Sequence, residues 1–294
     1  MAKEKTDEAR AGEGCLFVVA TPIGNLEDIT LRGLRVLKEA DVIACEDTRQ
    51  TAKLLNHFGI QKRMVSYHEH NEITRAAELV IELEQGARIS LVSDAGMPGI
   101  SDPGHRLVSL CVRHGIRVVP IPGANAMVAA LAGSGLPVEQ FAFVGFLPSR
   151  PTERRKALRE LEAEPRTMVL YEAPHRLLDT LEDSLEILGN RPAVIARELT
   201  KIHEEFLRGH LDELVAALQK KEVRGEITVL LGPADAAKRL EGAAEKVHVP
   251  LAKRVAEIVA ERGVDQKAAL KQAARERGMT RREAYKELLI TREE

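Results

Sequence analysis

Three stretches of this chain concentrate glycine, proline and acidic residues directly after short apolar runs: residues 21–30 (TPIGNLEDIT), 93–104 (SDAGMPGISDPG) and 120–126 (PIPGANA). Glycine lets a backbone approach a ligand closely, and exposed amides in such turns bind its polar groups. If the apolar runs are strands, all three loops stand at strand carboxyl ends, where open α/β sheets hold their ligands. None of the loops reads G-x-G-x-x-G, and G-x-x-x-x-G-K-[ST] occurs nowhere, so the dinucleotide and P-loop readings fail. The loops specify a ligand cleft without naming the ligand.

Charged clusters follow other apolar runs. Glu46, Asp47 and Arg49 come after one of them and put two acids and a base at a sheet edge. Asp47 or Thr48 equally suits a helix N-cap. Glu172, His175 and Arg176 stand in YEAPHR after another run. Arg176 can grip a phosphate bidentately there, and His175 can exchange a proton near neutral pH; Pro174 also suits a helix first turn. His68 and His70 alternate about Glu69 as two ligands on one strand face would. No third ligand of matching spacing follows, which leaves the metal reading weak. Glu198, Lys201, Glu204 and Glu205 follow a further run, with cleft-lining and solvated-loop readings both open. Asp28 and Asp102, beside the first two loops, suit either caps or substrate contacts.

The elements that must position these residues alternate. Strands are expected at residues 16–20, 42–45, 89–93 and 117–121, and helices at 31–39, 51–57, 74–84, 103–114 and 124–132. Such alternation implies crossover connections and a mainly parallel sheet, with continuously apolar strands covered on both faces. Residues 133–138 (GSGLPV) mark a boundary. Beyond it come strands at 141–145, 167–171, 193–197, 205–208 and 226–231, with helices at 153–162 and 177–188, and more hairpin-like content near the end. After Ala234 the strands stop. Helices are expected at 251–262, closed by Gly263, at 266–277, closed by Gly278, and from Thr280 through Leu289. The spacing of Ala269, Ala273, Gly278, Ala284 and Leu288 suits a helix-turn-helix packed about one glycine turn. The division that results is a leader at 1–14, α/β domains at 15–135 and 136–234, and a helical extension at 235–294.

Composition narrows the class. The 294 residues are 44% hydrophobic, 30% charged and 3% aromatic, as in a water-soluble globular protein whose cores are aliphatic. No apolar run reaches membrane-spanning length, and the charged leader lacks a signal-peptide core. Cys15, Cys45 and Cys111 are odd in number and never paired as C-x-x-C, which fits a reducing cytoplasm. The net charge of −2 argues against a wide RNA-binding surface. Two segments are locally basic: residues 149–159 carry five basic residues against one acid, and residues 236–294 carry 14 against 10.

The segments VATPIGNLEDITLR, ACEDTR, YHEHNE, SDAGMPGISDPG, PGANAMVAAL, GFLP, YEAPHR and ARELTKIHEE occur in one order and spacing. That string resembles the ribosomal RNA small subunit methyltransferase I family of the tetrapyrrole methylase superfamily, over about residues 16–232. The tail is similar to that family's C-terminal extension. The resemblance implies two α/β domains with a cofactor cleft between them, a small all-helical extension, and commonly a homodimer. It implies methylation by S-adenosylmethionine of a cytidine ribose 2′-hydroxyl in the decoding region of small-subunit (16S) rRNA, with the 30S subunit or its rRNA as partner and no metal. Cofactor contacts would fall on Pro22, Asp94, Ala95, Gly96, Met97, Ile100, Ala124, Asn125, Tyr171, Glu172, Leu199, Ile227 and Thr228. The superfamily's second loop commonly reads Gly-Asp-Pro; here Ser93, Asp94, Ala95 and Gly96 stand instead, which leaves Asp94 as the anchor. Glu46, Asp47, Arg49, Glu172, His175 and Arg176 are the catalytic or substrate-side candidates. Two rival readings share parts of this pattern. A tetrapyrrole-precursor methylase needs the cleft but neither basic segment, and a non-catalytic RNA-binding protein needs only the tail.

Overall fold

Strand β1 (Cys15–Val19) is buried along its whole length, as an unbroken apolar run must be when both faces of a parallel sheet are covered. The computed structural model describes residues 13–219, 223–233, 251–263, 265–276 and Ala284. The expected leader lies outside them up to residue 12. β1 joins β2 (Val42–Cys45), β3 (Arg63–Ser66), β4 (Arg88–Val92) and β5 (Arg117–Ile121) in a wholly parallel sheet of order β3-β2-β4-β1-β5.

Alternation along the strands divides two cores. Phe17, Ile43 and Val92 pack with Val36 and Leu37 of α1 (Leu31–Glu39) and Leu55 of α2 (Thr48–His57). Leu16, Ala44 and Leu91 pack on the opposite face with Leu79 and Leu83 of α3 (Glu72–Glu84) and Leu107 of α4 (His105–Arg113). Each such fully buried side chain contributes roughly 1.5–3 kcal/mol relative to exposure. Local signals fix the helix starts: the Thr30 side chain accepts from Gly33 N at 3.0 Å, and the Asp47 side chain from Arg49 N at 2.8 Å.

The second sheet, β6-β7-β10-β8-β9, is mixed. It contains β6 (Phe141–Phe146), β7 (Thr167–Glu172), β8 (Pro192–Arg197), β9 (Glu205–His210) and β10 (Ile227–Leu231). β6 and β7 are parallel, whereas β10 runs antiparallel to both β7 and β8, and β9 antiparallel to β8. Helices α6 (Pro151–Glu160), α7 (Leu177–Leu188) and α8 (Leu211–Leu218) cover one face through Leu158, Leu181 and Leu214. Helix α5 (Ala126–Ser134) covers the other through Ala130 and Leu131, against Val169, Val194 and Leu230. Although α5 precedes the boundary read at residues 133–138, it therefore packs on the second sheet.

Two elements were not expected. β3 is a four-residue edge strand with no buried residue, and α8 starts at a His210–Glu213 capping box in place of the usual Ser or Thr. The locally basic segment at 149–159 is partly engaged within the fold. Arg154 is buried with Nε 2.7 Å from Asp183 Oδ2, and Arg155 reaches Asp183 and Glu186. Much of that charge binds α6 to α7.

Residues Met1–Pro233 and Ala234–Glu294 form two compact units. In the second, α9 (Leu251–Arg262) ends at Gly263, which adopts φ +62° and donates to Val259 O at 2.9 Å. The Asp265 side chain caps α10 (Gln266–Glu276) by accepting from Ala268 N at 2.6 Å. Val255, Ile258, Ala269, Leu270, Ala273 and Ala284 share a small core. The third tail helix, Gly278 and Leu288 lie outside the described residues, apart from Ala284, which is helical. Cys15, Cys45 and Cys111 are free and buried, and no described helix is long and apolar enough to cross a membrane.

Candidate functional site

The carboxyl ends of the first sheet's strands carry the glycine loops, and these are tied to one another. Thr21 N donates to Gly96 O at 2.9 Å, Gly96 N returns a bond to Thr21 O at 3.0 Å, and Thr21 Oγ1 donates to Ser93 O at 3.2 Å. Gly96 holds φ +82°, which a side chain would strain. From the first loop Ile23 enters the apolar layer beneath α5, beside Leu131 and Leu199. In the third loop the Asn125 side chain caps α5 by accepting from Val128 N at 3.1 Å.

The second sheet contributes through register. Thr228 stands opposite Tyr171 and Ala196, and Ile227 opposite Glu172 and Arg197. Because β10 is antiparallel to its neighbours, its amino end lies with the carboxyl ends of β7 and β8. The turn after β8 is strained, with Glu198 at φ +52° and Thr200 at φ +66°. It is held by Glu198 Oε1, which accepts from Lys201 Nζ at 2.9 Å and Glu226 N at 2.8 Å. Asn25 N donates to Thr200 Oγ1 at 3.1 Å, joining the first loop to this turn.

A cavity of about 430 Å³ opens among these loops. Of the expected cofactor contacts, Asp94, Ala95, Gly96, Met97, Ile100, Asn125, Tyr171, Glu172, Leu199, Ile227 and Thr228 line it. Pro22 and Ala124 do not; their chain neighbours Ile23 and Asn125 do. Asp102 lines it, as do Phe146, Ala196, Gly225 and Glu226, on which the sequence reading placed no role. Gly225 is required there, since a Cβ would lie 2.4 Å from the Glu198 carboxylate.

Among the described residues the lining includes five carboxylates, Glu46, Asp94, Asp102, Glu172 and Glu226, and no Lys, Arg or His. Burial and mutual repulsion raise the proton affinity of three of them. Burial, then Asp94, pushes Glu46 up; burial, then Asp47, pushes Asp94 up, against the bond it accepts from Asp47 N at 3.1 Å. Asp102 is pushed up to about 6 by burial first and Glu46 second, with a Ser93 hydrogen bond opposing. Glu172 is buried and fully engaged: Oε1 accepts from Ala173 N at 2.8 Å and Oε2 from Thr180 Oγ1 at 2.6 Å.

The other candidates stand outside the cavity. Asp47 caps α2 and binds Arg49, whose side-chain and backbone hydrogen bonds hold its carboxyl down at about 2. The Arg49 side chain is 87% exposed, so it reaches solvent next to Glu46 in sequence. Arg176 is directed inward, where Nη2 donates to Leu147 O at 2.7 Å and Pro148 O at 3.1 Å, and Nε lies 3.3 Å from Glu172 Oε1. Its guanidinium clamps the β6–α6 loop, in place of the phosphate-gripping role read from the sequence. His175 is exposed and does not line this cavity. His68 faces Asn71, with Nε2 3.3 Å from Asn71 Nδ2, and acts electrostatically on Glu46. No cluster of three or more metal-capable side chains occurs among the described residues.

Comparison with known proteins gives this geometry a family. The family model of the tetrapyrrole (corrin/porphyrin) methylases matches residues 15–215. The ribosomal RNA small subunit methyltransferase I of Halalkalibacterium halodurans is 49% identical over 293 residues, covering 97% of this chain and 98% of that protein. The protein of that name from Escherichia coli O157:H7 is 46% identical over 278 residues, covering 90% and 96%. The one from Thermotoga maritima is 50% identical over 218 residues, which take in 98% of that protein but 74% of this chain. Among solved structures, a uroporphyrin-III C-methyl transferase from Thermus thermophilus complexed with S-adenyl homocysteine superposes with a TM-score of 0.54 at 23% identity, covering 76% of this chain and all of that one. A diphthine synthase superposes with a TM-score of 0.56 at 19% identity, covering 74% and 90%. At those identities the structures share the fold alone, while the near full-length sequence relatives reach further: the chain belongs to the ribosomal RNA small subunit methyltransferase I family, within the tetrapyrrole methylases.

Proposed function

We propose that this chain transfers the methyl group of S-adenosylmethionine to the 2′-hydroxyl of a cytidine ribose in the decoding region of small-subunit rRNA, working in the cytoplasm as a homodimer on the 30S subunit or its rRNA. The names of the relatives and the S-adenyl homocysteine of the Thermus thermophilus neighbour support this reading. The observation that carries it is the charge of the cavity. Two of its five carboxylates meet a cation from behind the lining, Glu172 with Arg176 and Glu226 with Lys201, and the remaining three, Glu46, Asp94 and Asp102, suit a donor bearing a sulfonium and an ammonium and disfavour a phosphate-bearing cofactor. A volume of about 430 Å³ falls within the range of cofactor pockets.

Asp94, with Ala95, Gly96, Met97 and Ile100, would hold the donor from the first sheet, and Asn125 from the third loop. Tyr171, Glu172, Leu199, Ile227 and Thr228 would hold it from the second, with Pro22 and Ala124 supporting the lining from behind. Bound there, S-adenosylmethionine supplies an activated methyl, and its sulfur keeps the electron pair of the S–C bond that breaks. The loops align the ribose oxygen behind that methyl, an arrangement that itself accounts for much of the acceleration.

As the C–O bond forms, the hydroxyl proton passes to a carboxylate. Asp102 is assigned that role. It lines the cavity, and burial first and the Glu46 charge second push it up to about 6, which makes it more basic than an ordinary aspartate. Glu172 is excluded by its engaged oxygens and Glu226 by its pairing with Lys201 at 3.3 Å. The phosphates of the RNA stay outside the negative cavity, where Arg49 is exposed to meet them. The basic tail provides further docking through Lys267 and Lys271, both exposed; Arg275, Arg277, Arg281, Arg282 and Lys286 of the same proposal lie outside the residues whose side chains are described.

The test supplies labelled S-adenosylmethionine with small ribosomal subunits, protein-free small-subunit rRNA, or a uroporphyrinogen. Label is expected in rRNA, at one cytidine whose 3′ phosphodiester resists alkali. Label in the tetrapyrrole, or in none of the three, overturns the proposal.

A further inference from the structure

The chain has six Phe, three Tyr and no Trp, yet two of these nine aromatic rings, Phe146 and Tyr171, line the cavity, and a third, Phe143, packs against Tyr171. Tyr171 lies between Phe143, with centroids 5.1 Å apart, and Phe146, with centroids 5.6 Å apart. Tyr171 is anchored through its hydroxyl, which accepts from Met127 N at 3.3 Å. Phe146 is different. It lines the cavity, yet 57% of it remains exposed. A β-bulge sets it there: Phe143 pairs with Val169 and Gly145 with the next residue, Leu170, so that Phe146 falls opposite Tyr171. Gly145 takes φ +72° at the bulge, and a Cβ on it would lie 3.1 Å from Ser101 Oγ of the second loop. Bulges of this kind re-aim a side chain beside a site.

The geometry points to Phe146 as a stacking platform for the nucleobase carried by the reacting ribose, an assignment that rests on the proposed RNA substrate. A cavity of about 430 Å³ cannot admit a helix, and its five carboxylates repel the phosphate backbone. A 2′-hydroxyl enters only if its nucleotide turns out of the stack, losing base-stacking energy as it does. The base is uncharged and has a π-face, so the carboxylates do not repel it. An aromatic ring at the rim with one face free replaces the lost stacking, as aromatic side chains do for unstacked RNA bases. The bulge fixes that ring against Tyr171 before the RNA arrives, so little ordering entropy is lost on binding.

The experiment uses the absence of Trp. In Phe146→Trp the introduced indole is the sole one in the protein. Small-subunit rRNA is expected to quench its emission, and S-adenosylmethionine alone is not. Phe146→Leu and Phe146→Ala are expected to raise the apparent KM for rRNA roughly fivefold to a hundredfold, with calorimetric affinity for S-adenosylmethionine unchanged, and Phe146→Tyr to keep wild-type KM. Quenching by the donor alone, or a parallel loss of donor affinity, assigns the ring to the cofactor and overturns the inference. So does a KM loss that tracks dissociation on size exclusion. Wild-type KM in Phe146→Leu also rejects the platform while rRNA methylation by the wild type stands. Failure of the wild type to methylate rRNA at all would instead remove the underlying reading.

Discussion

Replacing Asp102 by Asn removes one charge from the cavity while keeping the side chain's shape, and it separates activity from stability. The carboxyl is raised from 3.8 to about 6 in the folded protein, by burial and then by Glu46. A carboxyl with a folded-state pKa above its unfolded value binds its proton more tightly when folded. Its ionised form therefore works against folding at neutral pH, and that cost disappears as pH falls through about 6 towards 4. Two pKa units correspond to roughly 3 kcal/mol as an upper figure. Because Asp102 is only partly buried, solvent screening reduces that figure, and Asp102→Asn should raise the apo midpoint at pH 8 by a few degrees and by no more than about 10 °C, at about 2–4 °C per kcal/mol for a unit of this size. The advantage over wild type should shrink below pH 6 and vanish near pH 4. In the opposite direction, transfer to rRNA should fall roughly 10²- to 10⁴-fold if Asp102 takes the proton. The wild-type rate should drop about tenfold per pH unit below 6. Glu46→Gln removes the neighbouring charge, lowers the proton affinity of Asp102 and should move that acid limb to lower pH. Differential scanning calorimetry and a single-turnover pH profile measure the two halves. Full activity with an intact acid limb in Asp102→Asn, together with an unchanged or lower midpoint at pH 8, refutes the reasoning.

Arg49→Ala should leave donor affinity intact and raise the KM for rRNA, whereas Arg176→Ala should lower the unfolding midpoint by freeing the Leu147 and Pro148 carbonyls and the Glu172 carboxylate. Equal stability losses in the two variants would contradict the split. Arg154→Leu strips the buried partner from Asp183 and should cost about 3–5 kcal/mol in chemical denaturation, with donor affinity in the folded protein unaffected. A chain ending at Pro233 should bind S-adenosylmethionine normally but show a raised KM for 30S subunits that worsens with salt. The Thermotoga maritima relative, matched over 98% of its length by 74% of this chain, is the natural comparison. An unchanged KM and salt response would reduce the tail to a packing module.

The doubly wound first sheet was legible because its strands are unbroken apolar runs and its loops carry Gly, Pro and Asp. β3 escaped because Arg63–Ser66 is a half-exposed edge strand, with neither a continuous run nor a clean alternation. Helix α8 escaped because His210 serves as its cap, a residue rarely read as one. At the site, Asp94 to Ile100 were reachable from the rule that ligands sit at strand carboxyl ends. Gly225 and Glu226 were not, because β10 is antiparallel and brings its amino end to the cavity. Phe146 was quoted within a motif, but nothing in GFLP states that a bulge turns the ring outward. Arg154 and Arg155 looked like a surface, since their partners Asp183 and Glu186 lie some thirty residues away in α7.

The three cavity carboxylates that raise one another's proton affinity, Glu46, Asp94 and Asp102, also bear on how a turnover ends. In the proposed reaction they would face a sulfonium before transfer and a neutral thioether after it, the positive charge leaving on the proton assigned to Asp102. At an effective dielectric of about 20, one charge pair a few ångströms apart is worth roughly 3–4 kcal/mol. On that proposal the side chains that gather the donor also loosen their hold when it is spent, so exchange of spent for fresh donor would be favoured by a change of one unit of charge.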